Sequence, residues 1–293
     1  MILTVTLNLA LDVTYEVPAL TRHTTHRIRA VRSRGGGKGV NVARVLTTLG
    51  RRALATGLCG GPTGAMVSRE LAGAAVPHDF VPIDGDTRRV VTVTDTDATV
   101  FSEPGPAVTP GEWHDFQARF AAHASRARVV VLSGSLPRGL PDDAYAVLTR
   151  LAREAGAKVL LDSSGPALRL GSAARPDLVK PNAGELAEAA LDPRAVTLVV
   201  SRGPAGMLAR TPAGCWEAAP PEVLRGNPTG AGDAAAAALA VALRDDVPWP
   251  AALADAVALS ASAVVTPVAG EVDLATYHRL KQHVIVKEVP CPW

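Results

Sequence analysis

At 293 residues the chain is long enough for one large α/β domain carrying a small appendage. A formal net charge of +2 gives no field for nucleic acid or an anionic membrane surface, and no uncharged apolar run reaches the roughly 18 residues of a membrane span. With 47% hydrophobic residues but only 4% aromatic ones, the core must be built from Ala, Val and Leu.

Cys59, Cys215 and Cys291 have neither metal-ligand nor disulfide spacing, which suggests a reducing compartment. Met1 leads straight into Ile2-Leu3-Thr4-Val5-Thr6-Leu7 with no basic n-region, so no signal peptide is read and the cytosol is the expected location. Residues 2–7 read as a first buried strand, and Asn8 to Asp12 follow at its carboxyl end, where open α/β sheets place ligands. Asp12 there is either a binder of substrate hydroxyls or a turn residue.

Val13 to Ser33 changes character, with Thr14, Tyr15, Val17, Thr24, Thr25, Ile28 and Val31, and reads as strands lying outside the main sheet. His26, Arg27, Arg29, Arg32 and Arg34 fit a solvated edge. Gly35-Gly36-Gly37-Lys38-Gly39-Val40-Asn41 then opens a helix with Val42, Val45, Leu46 and Leu49 on one face, ended by Gly50. It is not a Walker A loop, because Gly39 follows Lys38 where Ser or Thr would stand. Lys38 in the turn and Asn41 inside the helix suit a polyhydroxylated anion.

A strand over 53–58 precedes Gly60-Gly61-Pro62-Thr63-Gly64 and a helix to about Ala74. Residues 81–101 are again β-rich and would pair with the outlying strands. Two β insertions, about 13–35 and 80–106, thus predict a small sheet over a core made of 1–12, 36–79 and 107–293. The remainder alternates: helix 110–124, strand 129–132, helix 142–155, strand 158–162, a strand end at 177–182 and strand 197–200. That alternation predicts an α/β fold, a mostly parallel sheet with helices on both faces. Asp12, Ser133, Ser135, Asp162, Asn182, Ser201 and Asp233 would converge along one sheet edge.

Asn227-Pro228-Thr229-Gly230-Ala231-Gly232-Asp233 feeds a buried alanine-rich helix, 234–243. Unpaired amides and the positive end of the helix dipole make such a start an anion site. Asp233 reads either as a plain cap or as a base beside a phosphate pocket. Asn182 and Glu185, three apart at a helix start, share a face and could arrange water around magnesium, although Glu185 also suits a plain first-turn carboxylate. Ser201 to Gly206 could lie along nucleotide phosphates or form a tight turn between strands.

Four motifs, Gly36-Gly37-Lys38-Gly39-Val40-Asn41-Val42-Ala43-Arg44, Ser133-Gly134-Ser135-Leu136-Pro137, Lys180-Pro181-Asn182-Ala183-Gly184-Glu185-Leu186 and Thr229-Gly230-Ala231-Gly232-Asp233, occur in the order seen in the ribokinase-like (PfkB) sugar kinases. The chain resembles that family over nearly its whole length. Asn8 to Asp12, Thr87-Arg88, Pro104-Gly105-Pro106 and Asp162-Ser163-Ser164-Gly165 are similar to its phosphosugar branch: 1-phosphofructokinase, tagatose-6-phosphate kinase and the minor 6-phosphofructokinase.

The resemblance implies an ATP- and magnesium-dependent kinase for a primary hydroxyl of a ketohexose phosphate. Fructose 1-phosphate is favoured, with tagatose 6-phosphate or fructose 6-phosphate as alternatives. It implies Asp233 as base, with Gly230, Ala231 and Gly232 as the anion hole. Asp12, Gly37 and Asn41 would hold sugar hydroxyls, and Arg27 and Arg88, helped by Lys38 and Ser135, the phosphate already on the sugar. Lys180, Asn182, Glu185, Ser201, Gly203, Gly206 and Thr229 would serve ATP and magnesium. The β insertions would form a lid, which in relatives often makes a homodimer.

Leu9, Asn227-Pro228 and Arg202 depart from the branch pattern without removing a proposed catalytic group. A kinase for a neutral sugar has no need of Arg27 and Arg88, and a non-catalytic sugar-phosphate sensor has none of Asp233. A nicotinamide dehydrogenase would want a Gly-x-Gly-x-x-Gly turn after the first strand, which is missing.

Overall fold

The computed structural model describes residues 1–191 and 196–291. In chain order the elements are β1 (Ile2–Thr6), β2 (Ala10–Glu16), β3 (Ala30–Gly36), α1 (Lys38–Thr48), β4 (Ala53–Gly60), α2 (Gly61–Gly73), β5 (His78–Ile83), β6 (Arg88–Thr94) and β7 (Ala98–Ser102). Then come α3 (Pro110–Ala124), β8 (Val129–Ser133), α4 (Ala144–Glu154), β9 (Lys158–Asp162), α5 (Gly165–Ala173), β10 (Leu178–Val179), α6 (Ala183–Ala189) and β11 (Leu198–Ser201). The chain ends with β12 (Met207–Thr211), β13 (Gly214–Ala219), α7 (Ala231–Asp245), α8 (Trp249–Val264), α9 (Leu274–Lys281) and β14 (Ile285–Val289).

Among the described residues a ten-stranded sheet runs in the order β14-β13-β12-β11-β10-β9-β8-β1-β4-β5. It is parallel from β5 to β11 and antiparallel from there to β14. Successive side chains of a strand point to opposite faces, so β8 serves two cores. Val129 and Val131 pack with α1, α7, α8 and α9 on one face. Val130 and Leu132 pack with Phe116 and Phe120 of α3 and Tyr145 and Leu148 of α4 on the other. The alanines of α7 let that helix lie in the interior, where Ala234 to Ala237 are fully buried. The start of α3 is fixed by a capping box between Thr109 and Glu112 with Pro110 in its first turn.

A second sheet, β3-β2-β6-β7, stands apart from the first. Leu9, Leu11 and Val13 seat it on Val40, Ala43, Val67 and Leu71 of α1 and α2. Val31, Val100 and Phe101 of this sheet are exposed.

Several expectations are corrected. The small sheet begins at Ala10, so Asp12 belongs to it, and 80–83 lies in β5 at the edge of the large sheet. A β-branched run shows a strand but not its sheet; here burial of Val81 and Ile83 against the core decides. Ser201 to Gly206 takes the form of the tight turn that was one of its two readings, joining antiparallel β11 and β12 through a short 3₁₀ segment over Gly203–Ala205. The antiparallel edge, α8 and α9 carry no chemical motif and were not assigned from sequence. Finally, Cys215 and Cys291 form a disulfide, with Cα atoms 5.4 Å apart. Their separation of 76 residues hid the pairing, which depends on β14 running back along β13 with Val289 opposite Cys215. No helix among the described residues is long and apolar enough to cross a membrane.

Candidate active site

The carboxyl ends of the parallel strands form a cleft roofed by the small sheet. A cavity of about 410 Å³ is lined by Asp12, Lys38, Asn41, Asp162, Lys180 and Asp233, together with Gly37, Arg88, Asn182, Glu185, Ser201, Thr229, Gly230 and Gly232. One end of a sheet thereby collects residues from across the whole chain, because parallel strands all deliver their following loops to the same edge.

The start of α7 forms the floor. Gly230 adopts φ 89°, and a side chain there would meet the Cα of Ala269 at 2.8 Å, so the turn needs glycine on both counts. The Ala231 and Ala234 amides bond back to the Pro228 and Gly230 carbonyls. Those of Gly232 and Asp233 have no such partner among the described residues. They are the unpaired donors of a helix start facing the cavity. Thr229 is held by its amide, which donates to Asn227 Oδ1 at 3.0 Å, while Asn227 Nδ2 donates to the Pro267 carbonyl.

Asp233 is 6% exposed and accepts from Asn41 Nδ2 at 2.8 Å. Burial pushes its carboxyl up to about 7, and the charge of Asp162 adds to the rise; Asn41, Lys38 and Lys180 oppose it. Asp162, at the end of β9, lies between two lysines. Lys38 Nζ donates to Oδ1 at 2.9 Å and Lys180 Nζ is 3.0 Å from Oδ2. Burial would raise the Asp162 carboxyl, but Lys180 and Lys38 together outweigh it and hold it below the usual carboxylate range. The same attraction from Asp162 raises Lys38 despite burial. Lys38 therefore keeps its charge at the cavity wall.

Asp12 occupies the opposite side. Burial lifts it to about 6 against the pull of Arg88, Arg34 and Arg44. Arg88 is braced by the Asn8 carbonyl at 3.2 Å and Ser102 Oγ at 2.8 Å. It also borders an adjoining cavity of about 220 Å³ with Lys38, Gly134, Ser135 and Ser164. A third cavity, about 570 Å³, continues from Asn182, Ser201 and Gly232 past Gly203 and Gly206. Its far wall is apolar, with Val223, Leu224, Val257, Ala261 and Val264. An apolar slot, an anion-binding helix start and a polar recess thus lie in series, an order suited to a nucleotide base, its phosphates and a polar acceptor.

A PfkB-family carbohydrate kinase model matches residues 5–273. The chain belongs to this family. It is 28% identical to phosphofructokinase-2 from Escherichia coli, solved in complex with fructose-6-phosphate, over 96% of this chain and 98% of that one, with a TM-score of 0.88. A Thermotoga maritima protein described as a possible 1-phosphofructokinase is 26% identical over 99% of both chains, with a TM-score of 0.87. Arabidopsis thaliana ribokinase with ribose and ATP, at 20% identity, a TM-score of 0.76 and coverage of 96% and 98%, shares the fold. The molecule is a PfkB-family sugar kinase with a phosphofructokinase-like, ribokinase-type fold.

Within this PfkB site the structure brings together the expected residues with two exceptions. Arg27 is exposed in the β2–β3 connection and lines none of the three cavities. A basic run on an edge strand looks the same in sequence whether or not it reaches the cleft. Ser133 is fully buried, so its hydroxyl does not reach the cleft. Asn182 and Glu185 form a reciprocal capping box, each accepting from the other's amide at 2.8 Å. Asp162 was expected at the converging sheet edge from its place at a strand end before Ser163-Ser164-Gly165, but without an assigned role. Ala269 and Gly270 press on Gly230 and Asn41; nothing in their local sequence marks them.

Proposed function

We propose that this PfkB kinase phosphorylates a primary hydroxyl of a ketohexose phosphate, with fructose 1-phosphate favoured over tagatose 6-phosphate and fructose 6-phosphate. The observation that carries the reading is Asp233: a buried carboxylate near neutrality, at the edge of unpaired helix-start amides, facing a recess with Arg88, Lys38 and Ser135. A general base works best with a pKa close to the operating pH.

The residues present fit ATP and magnesium. Unpaired Gly232 and Asp233 amides with Lys180 suit phosphate, and the apolar slot suits a base. ATP, when bound, supplies the γ-phosphoryl group. Among the described residues no three His, Cys, Asp or Glu side chains converge as a metal cage. Glu185 Oε2 is occupied by the Asn182 amide, leaving Oε1, 3.9 Å from Lys38 Nζ, as the oxygen to offer. One carboxylate oxygen fits magnesium, which keeps most of its waters and binds chiefly through phosphate. Asn182 then acts by fixing Glu185.

Asp233 takes the proton of the acceptor hydroxyl. Asn41, bonded to it, and Asp12 orient the sugar. Lys38, Arg88 and Ser135 hold the phosphate it already carries, and Lys38 and Lys180, steadied by Asp162, offset negative charge near the reacting oxygens. The small sheet excludes water and offers its exposed apolar residues, Val31, Val100 and Phe101, to a second copy.

An ADP-release assay with ATP and magnesium against fructose 1-phosphate, fructose 6-phosphate, tagatose 6-phosphate, fructose, ribose and adenosine tests the reading. Preference for one phosphosugar is the expected result. Turnover confined to a neutral substrate overturns the phosphate role of Arg88.

A further inference from the structure

We propose that Glu70, on α2 and outside the cleft, is a positioning residue for sugar binding: with Arg44 it locks the joint where the small sheet enters the site and so sets where Asp12 stands. The inference rests on the kinase reading above for the identity of the ligand, but not for its geometry.

The joint is the end of β3. Gly35 lies opposite Leu11 of β2 and Gly36 opposite Ala10, while Arg34 faces Asp12 itself. β3 is an edge strand of the small sheet, so alternate residues turn their backbone groups away from β2. At Gly35 a charged pair takes the place of a further strand. Its amide donates to Glu70 Oε2 at 2.9 Å and its carbonyl accepts from Arg44 Nη2 at 3.0 Å. Arg44 and Glu70 close the ring with an ion pair of their own. Both polar groups of one peptide residue are thereby fixed by two side chains that also fix each other.

The consequence reaches Asp12 through contact. A Cβ added at Gly36 would lie 2.0 Å from Asp12 Oδ2, so the carboxylate rests directly on that glycine's backbone. The following residue, Gly37 at φ 104°, turns the chain into Lys38 and α1. A shift of the 35–36 peptides therefore moves the surface under Asp12. Arg44 is 4% exposed, and Glu70 is the carboxylate in direct ion pair with it. A guanidinium kept in the interior on these terms needs a structural reason, and holding Gly35 supplies it.

The test compares Glu70→Ala with Glu70→Gln in the full-length protein. Glutamine keeps an acceptor oxygen for the Gly35 amide; alanine does not. In Glu70→Ala we expect faster amide hydrogen exchange confined to residues 33–37. We also expect KM for the sugar phosphate to rise at least tenfold, with KM for ATP within twofold of the parent, and Glu70→Gln to stay within threefold on every measure. Arg44→Ala/Glu70→Ala, which leaves no unpaired buried charge, should show the same selective loss if Glu70→Ala folds poorly. Equal rises in both KM values, an unchanged sugar KM, or Glu70→Gln failing like Glu70→Ala overturns the proposal. If the parent turns over no sugar phosphate, the functional reading falls separately. The exchange experiment then decides, unchanged protection at 33–37 overturning the lock.

Discussion

Asp233 and Asp162 are two buried carboxylates in one site with opposite environments. One faces a neutral amide and a like charge; the other sits between two ammonium groups. Such pairs separate a proton-transfer group from an electrostatic one. With Asp233 near 7, kcat/KM should rise with pH through about 7 and then level off, as the carboxylate becomes the dominant form. Asp233→Asn should lower turnover by about 10²–10⁴-fold; near-full activity would remove Asp233 from the mechanism. Its effect on stability runs the other way. A carboxyl raised in the folded state leaves stability intact below the unfolded value near 3.8 and lowers it as pH rises through about 7. The asparagine variant should therefore melt higher than the parent at pH 8, and a lower melting temperature there would contradict the burial argument. Asp162→Asn removes the charge that helps raise Asp233, so the rising limb of the pH profile should move to lower pH. It also leaves Lys180 buried without its partner, a loss of about 3–5 kcal/mol when such pairs are broken, readable by denaturant titration.

At the scale of elements, the helix starts carry the site. α7 begins in a left-handed glycine packed on the 269–270 backbone. Gly230→Ala should cost about 1–2 kcal/mol for the positive φ alone, plus the clash with Ala269. Because the shift falls on the anion-binding amides, turnover should fall more than stability predicts; a variant with full kcat would place phosphate binding elsewhere. α6 shows how one pair of residues serves two readings. The capping box was legible in the Asn182–Glu185 spacing, and so was a metal role, because both need a polar group and a carboxylate one turn apart. The hydrogen bonds assign the asparagine to the cap and leave one Glu185 oxygen facing the cavity.

For the whole molecule, the large sheet aligns seven parallel strand ends among the described residues, and the antiparallel edge is tied down by the Cys215–Cys291 bond. Closing a loop of 76 residues restricts the unfolded chain, worth about 2–5 kcal/mol in typical cases. Thiol titration under denaturing, non-reducing conditions should detect one reactive thiol, Cys59, and dithiothreitol should lower the melting temperature by several degrees. Three titratable thiols without reductant would mean the bond does not form in solution. The reach of β13 matters for the site too, since the segment after it, with Glu222 and Val223, walls the apolar slot.

Sequence alone determined the alternating α/β plan, the two glycine-rich helix starts and most of the residues around the cleft. These are local patterns: a glycine needed for a turn, a cap three residues from its partner, an alanine run, each read within a few positions. Tertiary structure alone decided what depends on distance in the chain. It placed Asp162 between Lys38 and Lys180, put β5 in the large sheet, left Arg27 in solvent, and paired cysteines 76 residues apart. The physical reason is common to all four. Burial and charge pairing are set by neighbours across strands and layers, and a single residue's local sequence holds no information about which neighbours those are.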